Sequence, residues 1–141
     1  MTLPEFFESV LRKRWSPGTW DCSTFMADWV VNVCGRDPIA DVRGTYSSER
    51  EFQRIVAREG GFLEACHSRL TAVGMRPTET PVAGDIVAVD APYSAGGEIR
   101  RRPTGAICAA PRCYAVVTSD MGLVVDNDDR LPMLRAWTFD G

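Results

Sequence analysis

Apolar residues recur at helical spacing through the first half of the chain. Thr2-Leu3-Pro4-Glu5 has the form of a capping box, and Leu3, Phe6, Phe7, Val10 and Leu11 follow at helical intervals, predicting a helix over about residues 3–14. After the turn-rich Ser16-Pro17-Gly18-Thr19, a second stripe of Cys22, Phe25, Met26, Trp29, Val30 and Val33 runs to Gly35, which stops it. The segment from Arg36-Asp37-Pro38 to Gly44 reads as an ordered loop. Ser48-Glu49-Arg50-Glu51 repeats the capping pattern ahead of Phe52, Ile55 and Val56, and Gly60-Gly61 closes this third helix. A fourth helix over about residues 62–73 carries Phe62, Leu63, Cys66, His67 and Leu70 and ends near Gly74, with Pro77 beyond.

From Pro81 the pattern changes to short β-rich runs at Asp85–Val89, Gly105–Ala109, Cys113–Thr118, Leu123–Val125 and Arg135–Phe139. Helices first and strands later predict an α+β fold with N-terminal helices packed on a C-terminal antiparallel sheet. Pro92 to Pro103, with Ser94-Ala95-Gly96-Gly97 inside it, reads as a loop or an extended hairpin tip. A length of 141 residues with no repeat or linker predicts one domain over 1–141.

Composition narrows the function classes. Hydrophobic residues at 45% and charged residues at 25% are those of an ordinary folded domain. A net charge of −3 argues against a domain that neutralises nucleic-acid phosphates, so no nucleic-acid partner is expected. No apolar run approaches a membrane span, and MTLPEFFESVLRKRW lacks the layout of a secretion signal. The single histidine, His67, excludes multi-histidine metal sites, and no metal or cofactor is expected. Five cysteines without a CxxC pair favour reduced thiols. Cys34 and Cys66 fall on apolar helix faces as small hydrophobes, and Cys108 and Cys113 flank a hairpin connection, facing each other or simply packed.

The segment Asp21-Cys22-Ser23-Thr24-Phe25 carries the most chemistry. Asp21 is placed as an N-cap and Cys22 in the first helical turn, where free N–H groups and the helix dipole favour a thiolate. The structural alternative is that Cys22 simply begins the apolar stripe. Trp15 and Trp20 flank the entry to this helix, as groove, interface or core. Asp126-Asn127-Asp128-Asp129 begins like a calcium loop but lacks its glycine and its distal glutamate, and reads as a solvated turn. Arg100-Arg101-Arg102 reads as a solvated run available for docking.

Trp20-Asp21-Cys22-Ser23-Thr24-Phe25 followed by Gly84-Asp85-Ile86-Val87 resembles the NlpC-type papain-like cell-wall peptidases. A wider string is similar to a phage, prophage and gene-transfer-agent tail-associated group related to them. It includes Ala27-Asp28-Trp29-Val30, Gly35-Arg36-Asp37-Pro38, Arg43-Gly44-Thr45-Tyr46, Gly60-Gly61 and Ala136-Trp137. The resemblance implies a papain-like fold with Cys22 as the nucleophile and Trp20, Asp21 and Ser23 as its binding neighbours. It implies a base in a His-x-Gly context after the Gly-Asp strand, where this chain has Pro103-Thr104-Gly105. Proline cannot exchange a proton with a thiol or a leaving amine. The residue that orients the base would fall within Tyr114–Thr118. His67, on a helix before the sheet, is the one substitute base the chain offers, and a partly exposed helix histidine is the simpler reading.

The expectation is a tail-tip or baseplate structural component of a phage virion with a degenerate cysteine-peptidase-like fold. It would be noncatalytic, made in the host cytoplasm without a signal peptide, and in contact with other tail-tip or baseplate hub proteins or with peptidoglycan of the cell wall. The alternative is an active cysteine peptidase or amidase cleaving peptidoglycan peptides during tail penetration, with Cys22 as nucleophile. A cytoplasmic assembly factor for the tail is a third reading.

Overall fold

The computed structural model describes residues 1–139. Four helices come first, α1 (Leu3–Val10), α2 (Cys22–Cys34), α3 (Glu49–Arg58) and α4 (Phe62–Ala72). Six strands follow, β1 (Arg76–Pro77), β2 (Ile86–Ala95), β3 (Glu98–Ala110), β4 (Cys113–Thr118), β5 (Gly122–Asn127) and β6 (Met133–Thr138). They form one antiparallel sheet in the order β1-β6-β2-β3-β4-β5. The α+β class with helices before strands is therefore as the sequence pattern predicts.

Helix α1 starts on a complete capping box between Thr2 and Glu5, but ends at Val10, with Leu11 as its C-cap, instead of reaching residue 14. Leu11 is 60% exposed and is followed by the exposed Arg12, Lys13 and Arg14, so no packing sustains another turn. In α2 the apolar stripe is buried only as far as Val30, while Val31, Val33 and Cys34 in the last turn are exposed. Cys34 is thus a surface thiol and not the core residue its periodicity suggests; Cys66 is buried. Gly35 ends α2 in the left-handed conformation at φ 75°.

The segment Pro92–Pro103 is an extended hairpin, not a loop. β2 and β3 pair continuously from Ile86↔Ile107 to Ala95↔Glu98 around Gly96-Gly97. Cross-strand contacts hold this arm: Arg102 lies over the Tyr93 ring at 4.1 Å and Arg101 binds Asp90 at 3.0 Å.

Side chains alternate across the sheet and feed two cores. On the helix side, Ile86, Ala88, Ile107, Ala115, Val117 and Trp137 pack with Phe6, Phe25, Trp29, Val30 and Leu70. On the opposite side, Val87, Val89, Ala106, Cys108, Tyr114, Val116 and Ala136 are covered by Leu131. Cys108 stands opposite Tyr114, and Cys113 opposite Ala110, so the two thiols are not cross-strand partners; both are free.

Candidate functional site

Asp21 organises the head of α2. One carboxylate oxygen accepts from the Ser23 and Thr24 amides at 3.0 and 2.9 Å, and the other from the Gly18 amide at 3.0 Å and the Tyr46 hydroxyl at 2.6 Å. Thr24 returns the bond by accepting from the Asp21 amide at 2.7 Å. Asp21, Ser23 and Thr24 are all buried. The carboxylate therefore consumes the helix-terminal donors that the sequence reading reserved for a thiolate, and sets a negative charge beside Cys22.

The thiol responds accordingly. Cys22 is buried, and burial together with the Asp21 carboxylate pushes its pKa up to about 11, against the Gly105 N–H, which donates to the sulfur. Arg102 lowers it and Glu49 raises it, two smaller opposing effects. The helix-dipole expectation of an activated thiolate does not hold in this setting.

Cys22 lies at the base of a groove of about 1090 Å³ bounded by α3, the β3 arm and the β4–β5 end, with Trp15, Phe52, Pro103 and Thr118 on its walls. Glu49 and Arg102, both groove residues, pair at 2.7 Å and tie the start of α3 to the arm. Pro103 shares the helix side of β3 with Gly105, the residue whose amide meets the sulfur. On β4, the helix-side positions Ala115 and Val117 are both apolar and buried.

His67 is elsewhere. It is half-buried on α4 against β6, where its Nδ1 accepts from the Trp137 indole at 3.2 Å and faces the Arg135 guanidinium at 3.0 Å. β6 is separated from β3 by β2 in the sheet, and His67 does not line the groove. Trp20 is 5% exposed and packs edge-on against Phe25, so it belongs to the core and Trp15 supplies the groove's indole. Ser23 lines a separate apolar pocket of about 60 Å³.

Other sequence features resolve into structural uses. Arg100, Arg101 and Arg102 each pair with a carboxylate: Glu98, Asp90 and Glu49. Asp128 accepts from the Tyr114 hydroxyl at 2.9 Å and the Met133 amide at 3.1 Å. Among the described residues no cluster of His, Cys, Asp or Glu is arranged to hold a metal ion, and no helix is long and apolar enough to cross a membrane. Sequence reasoning missed Tyr46 as the buried partner of Asp21 and the Glu49–Arg102 pair. Tyr46 stands in the motif string, whereas the 53-residue separation of Glu49 and Arg102 leaves no local signal.

Fold and site define an α+β protein with a cysteine at a capped helix start, lining a groove beside a central strand. Residues 1–139 match the family described as a domain of unknown function, DUF6950, and the chain belongs to that family. No curated protein and no solved structure matches it.

Proposed function

We propose that this chain is a noncatalytic structural component of a phage tail tip or baseplate, built on a degenerate NlpC-type papain-like fold. It would reside in the virion tail and contact hub proteins or the cell wall. The observation that carries the noncatalytic reading is Pro103 on the groove wall at the position where the resembled peptidases hold their base, with the only histidine on the far side of β2. General acid–base catalysis contributes roughly 10²–10⁴ in rate, and here no histidine stands in the groove to take the proton from a thiol whose pKa is already raised. The tail assignment rests on the motif string alone. Its residues make a connected support for α2: Tyr46 to Asp21, Arg43 to Asp28 and Asp37, and the Trp29 indole to the Gly84 carbonyl at 2.7 Å.

The second reading, an active peptidoglycan hydrolase with Cys22 as nucleophile, is favoured by the Asp-capped helix start and the Gly105 N–H at the sulfur. Iodoacetamide alkylation of Cys22 across pH, run beside hydrolysis of peptidoglycan fragments with wild type, Cys22→Ala and His67→Ala, decides between them. The noncatalytic reading expects no hydrolysis and alkylation that rises only toward alkaline pH. Turnover lost in Cys22→Ala would overturn it.

A further inference from the structure

The ladder between β3 and β4 ends early. Its pairing on the groove side stops at Ile107↔Ala115, yet β3 continues back to Glu98 and β4 forward to Thr118. Each strand stays paired on its outer side, β3 with β2 as far as Ala95↔Glu98 and β4 with β5 as far as Thr118↔Gly122. The two strands thus diverge, and the groove lies between them, lined by Arg101–Thr104 on one wall and Val116–Met121 on the other.

Main-chain directions alternate along a strand. Cys108 exchanges bonds with Gly84 and Asp85 on the β2 side, so Ile107, Gly105, Pro103 and Arg101 turn their main-chain groups toward the gap. Ala115 opposite Ile107 places Val117 on the facing edge in the same sense. Beyond the Gly105 N–H, given to Cys22, the gap is faced by the carbonyls of Arg101, Pro103, Gly105 and Val117 and the amides of Arg101 and Val117. Two facing strand edges call for an extended chain.

Charge selects among extended chains. The far wall bears Asp120, Asp126 on β5 and Asp129 just after it; Arg130 reaches Asp126 only at 3.9 Å and the exposed Arg112 reaches Asp129 only at 3.7 Å, so both pairings are loose. The arginines of the other wall are already committed to Asp90 and Glu49.

We propose that the gap between β3 and β4 takes an extended basic segment of a partner protein as an added strand. This rests on the noncatalytic reading, since an occupant beside Cys22 is then held and not cut. The test is amide-resolved NMR of the full-length ¹⁵N-labelled protein with a capped peptide of alternating valine and alanine flanked by lysines. Its glutamate-flanked and alternately N-methylated counterparts are run beside it. The lysine peptide is expected to shift the amides of Arg101, Gly105, Val117 and Ser119. N-methylation should weaken binding at least about tenfold, because each lost donor strands an acceptor in the gap. Pro103→Trp should abolish the shifts while leaving circular dichroism and Tm unchanged.

Equal binding of the methylated or glutamate peptide, shifts mapping elsewhere, or no binding by any of the three overturns the proposal. Protection of the same amides with a concentration-dependent doubling of mass assigns the gap to a second copy and overturns the partner assignment. Peptide cleavage that Cys22→Ala removes overturns the noncatalytic reading instead, and the amide map still judges the docking.

Discussion

At the scale of single residues, Asp21 and Cys22 are coupled through one carboxylate. Asp21→Ala strands the Gly18, Ser23 and Thr24 amides and the Tyr46 hydroxyl, and should cost about 2–4 kcal/mol in urea unfolding. Asp21→Asn keeps the shape, removes the like charge and should move the onset of Cys22 alkylation to lower pH than in wild type, where the thiol is pushed up to about 11. The sign for stability follows from the same burial. Cys22 and Cys108 are each held neutral to about 11, above their usual range, whereas the unfolded chain ionises its thiols near 8.5. Between those values the unfolded state binds fewer protons, so stability falls as pH rises from about 9 to 11. Urea midpoints measured across that range should decline. Gly105 and Met26 form a second coupled pair, since a Cβ at Gly105 would run into the Met26 thioether. Gly105→Ala should destabilise by about 1–2 kcal/mol, and much of that loss should vanish in a Met26→Ala background.

At the scale of elements, the caps were legible in the sequence because they are local: Thr2 with Glu5, Asp21 with Thr24, and Gly35 at the end of α2 each act within a few residues. The exposed end of α2 and the early end of α1 were not, because periodicity marks an apolar face without saying how far the neighbouring element extends. The arm of β2 and β3 was legible only as one of two options, a loop or an extended hairpin tip, for a related reason. Its glycines and arginines have a loop's composition, and only the cross-strand partners Tyr93–Arg102 and Asp90–Arg101 show how that composition is used. Of the site, Cys22 and its capping Asp21 were readable, as was Pro103 in the slot of the resembled base, while its place on the groove wall came only with the fold. The raised thiol was not readable, because it depends first on burial, which is set by packing with elements distant in the chain, and the Gly105 N–H that opposes the rise also arrives from elsewhere. The Glu49–Arg102 tie is partly exposed, so Arg102→Ala should change stability by no more than about 1 kcal/mol. Hydrogen exchange of the arm amides should nevertheless speed up, since the side chain anchors the arm both to α3 and to Tyr93.

At the scale of the whole molecule, two cores share one set of strands. The helix-side core holds Trp20, Trp29 and Trp137, and the opposite core holds Tyr114, Val116 and Leu131. Closure of the second core depends on the short connection from β5 to β6, which carries the chain from one edge of the sheet to the strand beside β2. Asp128 fixes that crossing to Tyr114 and Met133, and the Pro132 carbonyl accepts from the Asp90 amide at 2.8 Å. Leu131 is the side chain that this crossing inserts, so Leu131→Ala removes the lid of the second core without touching a helix. The loss expected for a large-to-small change in a core is about 2–4 kcal/mol. Because β2, β3, β4 and β6 each contribute to both faces, neither core can persist when the other dissolves. Tryptophan fluorescence, which reports only the helix-side core, should therefore show the full shift in urea midpoint on Leu131→Ala, coincident with the far-ultraviolet circular dichroism transition. A tryptophan transition that stays at the wild-type midpoint while circular dichroism moves would mean that the two faces of the sheet fold independently.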